Sequence, residues 1–149
     1  MSGKIVSINI SEKKGERKKP VAEVTVRENY GIEGDGHASS ETHRQVSLLA
    51  VESVRKMQEL GLKVQPGDFA ENITTEGIDL PGFPIGTRLR IGEDVIGEVS
   101  QIGKECHVRC AIFYQAGDCV MPKEGIFIKV LMGGMISSGD GINVLTVRA

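Results

Sequence analysis

Residues Gly103 to Pro122, GKECHVRCAIFYQAGDCVMP, hold all three cysteines of this 149-residue chain and one of its three histidines. Cys106 and Cys110 are separated by three residues, His107 follows the first of them, and Cys119 comes later. Structural zinc sites usually pair cysteines two residues apart, so the spacing is poor for such a site. Lys104, His107 and Arg109 surround the first two thiols. Nearby positive charge lowers a thiol's pKa and raises its thiolate fraction. If Cys106 and Cys110 face one pocket, they would ligate a soft metal or carry sulfur as a persulfide. The competing reading is packing, because cysteine often behaves as a small buried hydrophobe. That reading suits Cys119, beside Val120 and Met121, better than the other two.

A second constellation is YGIEGDGHASSETHRQVSLL, with Gly31, Gly34 and Gly36 close together. Glycines let backbone N–H groups turn toward an anion. His37, His43 and Arg44 add side-chain donors, and an arginine can grip a phosphate with two parallel hydrogen bonds. The loop leads toward the start of an expected helix, whose dipole favours negative charge. A structural loop in which Asp35 bonds its own backbone explains the same residues. No Walker or dinucleotide fingerprint is present. In a third stretch, PGDFAENITTEG, Glu71 and Asn72 could line a pocket, although spacing alone favours Asn72 as a partner for backbone groups.

These residues must be held by a frame. The length fits one domain (residues 1–149) able to bury a core without staples. The formal charge of −2, with both signs intermixed, and 4% aromatics without tryptophan point away from nucleic acid and membrane surfaces. No segment has the length and apolarity of a membrane span. MSGKIVSINI lacks a cleavage pattern, which predicts no signal peptide. With an odd cysteine count, this indicates reduced thiols and a cytoplasmic protein.

KIVSINIS reads as a strand, EKKGERKK as a solvated hairpin loop, and VAEVTV as the returning strand. SLLAVESVRKMQELG reads as the main helix, over about residues 48–60. Leu49, Val51, Val54, Met57 and Leu60 share a face, Ser47 is a candidate cap and Gly61 a stop. Downstream, FAENITT, TRLRIG, VIGEVSQIG, GIFIKVLMGG and GINVLTVR are short strand candidates, with GEDVIG and SGDGIN as tight hairpin connections. Many short strands with one helix predict a mainly β fold, a small closed or partly open barrel.

Five stretches in order, GIEGDGHA…HRQVSLL, PGDFAENITTEGIDL, IGTRLRIG, GKECHVRC and GIFIKVLMGGMISSGDGI, resemble the MOSC domain, the carboxy-terminal domain of molybdenum-cofactor sulfurases, which also exists as small stand-alone bacterial proteins. The resemblance runs from about Val21 to Val147. It implies a strand-rich barrel that handles the molybdenum cofactor, a pterin bearing a dithiolene and a phosphate. It also implies that Cys106 or Cys110 carries sulfur or ligates molybdenum. Gly34, Asp35, His37, Arg44, Gln45 and Asn72 would line the cofactor pocket, with Lys104, His107 and Arg109 beside the thiols. Cys119 has no place in the pattern.

The pyridoxal-phosphate desulfurase domain of the large family members has no counterpart in this sequence, so the implied role is a carrier acting with sulfur-donor or molybdoenzyme partners. A complete small molybdenum-dependent reductase, and a module with structural zinc or buried thiols, are the alternatives. Exposed strand edges are compatible with a homodimer.

Overall fold

The computed structural model describes residues 2–13, 17–103 and 124–146. Among these residues β1 (Ser2–Ile10), β2 (Lys19–Val21), β3 (Glu23–Arg27), β4 (Gly31–Ile32), β5 (Val46–Ala50) and α1 (Val51–Glu59) come first. They are followed by β6 (Ile73–Glu76), a 3-10 turn (Leu80–Gly82), β7 (Arg88–Ile91), β8 (Val95–Ile102), β9 (Ile126–Met132), β10 (Gly134–Ser137) and β11 (Gly141–Thr146). The fold is mainly β. Strands pair in the order β11-β7-β8-β9-β5-β6-β1, and β11 pairs back to β1, closing a seven-strand barrel. Closure removes the open edges that an isolated sheet would present. β2 extends the sheet from β1, and a separate small sheet runs β10-β3-β4.

Alternation drives this arrangement. In β7 Leu89 and Ile91 are buried while Arg88 and Arg90 are exposed. Ile5, Ile8, Leu48, Ile73, Val99, Ile126 and Ile128 join them in one apolar core. Burying such a side chain contributes about 1.5–3 kcal/mol relative to leaving it in water. Gly97 faces Ile128 so closely that any side chain there would collide with it.

The expected helix begins later than its pattern suggests. Residues 46–50 form β5, and α1 covers Val51–Glu59. The reason is that β5 is buried on both faces. Leu48 packs in the barrel, whereas Leu49 packs with Val54, Met57, Val64, Phe69 and Phe127 under the helix. A strand covered on both sides loses its polar alternation and merges with a following helical pattern. Ser47 is therefore no cap: the N-cap is Ala50, with no side-chain cap bond. Leu60 is 66% exposed and does not belong to the buried face. Gly61, at φ +92°, does follow the helix end. α1 joins β5 to β6, which run parallel, as a connection of this length allows.

Two hairpin expectations also change. β1 is met on its return only by the three-residue β2, whereas β3 pairs with β10 and β4. Pro20, in β2, has no N–H to offer and suits an edge strand. SGDGIN is a crossing between sheets, because β10 pairs with β3 and β11 with β7 and β1. GEDVIG does join a hairpin, with Ile91 opposite Val95. Among the described residues no helix is long and apolar enough to cross a membrane.

Candidate functional site

The glycine loop is anchored before it can offer anything to a ligand. At Gly31, φ is +127° and a Cβ would lie 2.6 Å from the Gln45 carbonyl oxygen, so only glycine fits. Four residues on, Asp35 turns its carboxylate inward. Oδ1 accepts from the Lys18 ammonium at 2.6 Å and from the Ser11 N–H at 3.1 Å, and Oδ2 accepts from the His37 N–H at 3.1 Å. Both side chains of the ion pair are essentially sealed, at 0% and 1% exposure. Burial pushes the Asp35 carboxyl upward. The Lys18 hydrogen bond and charge, with the Ser11 N–H and the Asn72 side chain, outweigh it and hold the group below the ordinary carboxylate value. The remaining donors of Lys18 reach Ser11 Oγ at 3.1 Å and His37 Nδ1 at 2.9 Å. Lys18 lies in the stretch expected to be solvated and is instead buried.

Asn72 is drawn into the same region and is buried. Its Oδ1 accepts from the Ser47 N–H at 3.0 Å, and its Nδ2 donates to the Asn9 carbonyl at 3.2 Å. Beside it Glu71 is fully buried. Its carboxyl accepts from the Gly67 N–H at 3.0 Å and from the Thr74 hydroxyl at 2.9 Å. No cation pairs with Glu71 among the described residues, and burial raises its pKa. Asn9 closes the network by donating to Thr74 Oγ1 and to the Glu71 carbonyl. Gln45 is a clasp elsewhere on the loop, where its amide donates to Asn29 and to the Ser39 carbonyl while its oxygen accepts from the Val130 N–H. Gly34, at φ +85°, is exposed and has open space where a Cβ would be.

Arg44 belongs to a different, exposed set. The loop leads into β5, not onto a helix terminus, which removes the helix dipole from its surroundings. Arg44 Nε and His43 Nε2 both lie 2.8 Å from Gln101 Oε1, and the Arg44 guanidinium lies over the Phe127 ring at 5.6 Å. The amide nitrogen of Gln101 donates in turn to the Gly103 carbonyl at 2.7 Å, and Ser100 Oγ holds the His43 carbonyl. Gln101, which the sequence did not single out, thus ties the two cationic side chains to β8. The terminal amino groups of Arg44 have no protein partner among the described residues.

Gly103 donates to the Gly125 carbonyl, so the stretch between β8 and β9 leaves and returns at one place, directly beside this cluster. That stretch carries Lys104, Cys106, His107, Arg109, Cys110 and Cys119, which lie outside the described residues. Among the described residues no group of three or more His, Cys, Asp or Glu is placed to hold a metal ion.

The chain can now be set beside known proteins. The solved structure of YuaD from Bacillus subtilis superposes with a TM-score of 0.82 at 18% identity, covering 99% of this chain and 98% of that one. YiiM from Geobacillus stearothermophilus gives 0.71 at 23% identity, covering 97% and 75%, and YiiM from Escherichia coli gives 0.71 at 20%, covering 100% and 72%. Likeness at such identities establishes the shared barrel. No curated protein sequence matches the chain significantly. Residues 33–143, from the glycine loop into β11, match the family described as the MOSC domain, and the chain belongs to that family.

Proposed function

We propose that this MOSC protein binds the molybdenum cofactor and uses Cys106 or Cys110 to carry sulfur or hold the metal, for delivery to or maturation of molybdoenzymes. The observation that carries the reading is the Arg44 cluster. A guanidinium pinned through Nε by Gln101, with its terminal amino groups unengaged among the described residues, sits at the root of the stretch that holds every thiol. The free edge of a fixed guanidinium suits the cofactor's phosphate, as a bidentate partner. A dithiolene-bound metal wants a soft thiolate, which the adjoining stretch supplies in sequence.

The bound cofactor would bring the molybdenum and its dithiolene; the chain's part is to bind and orient it. Arg44 meets the phosphate, and His43 stands beside it on the same amide oxygen. Asp35, Gln45 and Asn72 act from below. Their polar atoms are spent on backbone and on Lys18, so they shape the loop that carries Gly34 and His37. In loading, the thiolate of the reactive cysteine attacks the outer sulfur of a donor protein's persulfide, and the donor's inner sulfur leaves as a thiolate.

The test is to offer the reduced protein a donor of molybdenum cofactor, remove free ligand, and count molybdenum and pterin per chain. The same count is made for Cys106→Ser, Cys110→Ser and Arg44→Ala. Near-stoichiometric loading that falls in Arg44→Ala and in one cysteine variant is expected. Absence of loading in the unmodified chain overturns the proposal.

A further inference from the structure

Arg44 is held from two strands, and a bulge in one of them brings the holders together. From Val95 to Val99 the residues of β8 alternate between buried and half-buried, and Val99 lies in the barrel core opposite Ile128. Unbroken alternation would set Ser100 opposite Phe127 and return Gln101 to the core side. Instead the register shifts by one residue, and Gln101 stands opposite Phe127. An extra residue of this kind re-aims the side chains that follow it. Ser100 is the residue passed over, and its hydroxyl lies against the carbonyls of His43 and of Phe127, the second at 3.2 Å. Directly opposite residues of paired strands share a face of the sheet. For Phe127 that face is the one under α1, where the ring packs with Leu49, Val54 and Met57. The pair meets Arg44 in two ways. Gln101 Oε1 accepts from Nε at 2.8 Å, and the amide is fixed because its nitrogen donates to the Gly103 carbonyl at 2.7 Å. The guanidinium lies over the Phe127 ring, 5.6 Å from its centre, within the range at which a ring face attracts a cation. Phe127 is only 8% exposed, so its packing under α1 holds the ring in place.

We propose that Phe127 is a positioning residue for Arg44. Its ring is the platform and Gln101 the edge of one clamp, which leaves the terminal fork of the guanidinium for a ligand. A fork held in this way favours an anion that presents two oxygens side by side, as a phosphate does, over a single-atom anion such as chloride. The bulge and α1 thereby become parts of the site. The bulge selects which side chain of β8 reaches Arg44, and the helix keeps the ring beneath it. The clamp stands on this geometry, whereas its use on a cofactor phosphate rests on the function proposed above.

The two parts separate in the test, because the clamp is read on the chain without cofactor. In 1H–15N spectra of the unmodified protein, assigned with Arg44→Lys, the Arg44 side-chain protons should be shifted upfield by the ring. Site-specific replacement of Phe127 by 4-fluoro-, 3,5-difluoro- and 3,4,5-trifluorophenylalanine keeps the ring while withdrawing charge from its face in steps. Exchange of the Arg44 Nε–H with water should quicken along that series, by about two- to fivefold at its end. A ring that acts through shape alone would leave the exchange level. Inorganic phosphate should move the Arg44 signals at concentrations where chloride, at equal ionic strength, does not. Absence of the upfield shift overturns the proposal whether or not a fluorinated chain folds, and so does exchange that stays level along the series. Chloride acting as strongly as phosphate overturns the selectivity of the fork. Loading with molybdenum cofactor that fails while the Arg44 signals come out as expected would sink the function and leave the clamp intact.

Discussion

Two groupings of polar and charged side chains stand in opposite environments. Around Asp35, Lys18, Asn72 and Glu71 every polar atom is spent inside the protein, and the side chains are buried. Around Gln101, which is half-buried, Arg44 and His43 are exposed, and among the described residues part of the hydrogen-bonding capacity of Arg44 is left over. A charge in the first grouping is a structural member, because removing its partner leaves it stranded in low dielectric. A charge in the second is available to a ligand because water already screens it. The difference separates the residues that shape the loop from those that can meet an anion, a division that residue type alone does not reveal.

The sharpest way to break the comparison is through the ion pair. Asp35→Asn or Lys18→Met alone should cost about 3–5 kcal/mol of stability, since each leaves an uncompensated buried charge. The double variant should lose far less, and urea unfolding of all three would show the non-additivity. pH gives a second handle. The folded-state pKa of Asp35 is depressed. Its stabilisation is therefore present above the ordinary value of 3.8 and lost as pH falls through the lower folded value. Additive single costs of under 1 kcal/mol would mean that the pair is not sealed.

Asn72→Ala comes next. It strands the Ser47 N–H and the Asn9 carbonyl, each within the buried network. A loss of about 1–3 kcal/mol is expected from the unsatisfied groups, checked by the same unfolding assay.

Glu71 reverses the sign of Asp35. Its pKa is raised because burial disfavours the charged form, and no cation offsets this among the described residues. A raised carboxyl contributes stability that is complete below the ordinary value of 4.5 and is lost as pH rises through the folded value. Glu71→Gln should remove that slope and change stability at neutral pH by about 1 kcal/mol or less. An unchanged pH profile in the variant would show that the Glu71 carboxyl titrates alike in the folded and unfolded chain, against the raised value.

Much of this frame was legible in the sequence. The mainly β barrel follows from short alternating stretches such as Arg88–Ile91 and from glycine-rich turns. The start of α1 was not, because Val46–Leu49 is apolar on both faces and runs without a break into the helical pattern. At the site, the motif residues Asp35 and Asn72 were legible as candidates and do converge, with the Asn72 side chain adding to what lowers Asp35. Lys18 was hidden in a run of charged residues, where nothing local marks one lysine as buried. Gln101 was hidden as well. Its importance comes from Arg44, fifty-seven positions away, and no periodicity reports a contact of that range.

The smallest effect falls on Gln101, and it separates orientation from charge. Gln101→Leu keeps the Arg44 guanidinium but removes the acceptor shared by Arg44 Nε and His43 Nε2. Stability should move by no more than about 1 kcal/mol, since Gln101 is half-buried and its partners among the described residues are two exposed side chains and one loop carbonyl. Cofactor affinity should fall because the guanidinium must now be ordered at the moment of binding, a cost of about 0.5–1.5 kcal/mol or roughly two- to tenfold. Arg44→Ala should lose more, since it removes the donor itself. Equal losses in the two variants would show that an unheld arginine is as poor as none. A Gln101→Leu protein that loads as well as the unmodified chain would show that the exposed cluster does not gain from being fixed, and the contrast with the buried network would then rest on burial alone.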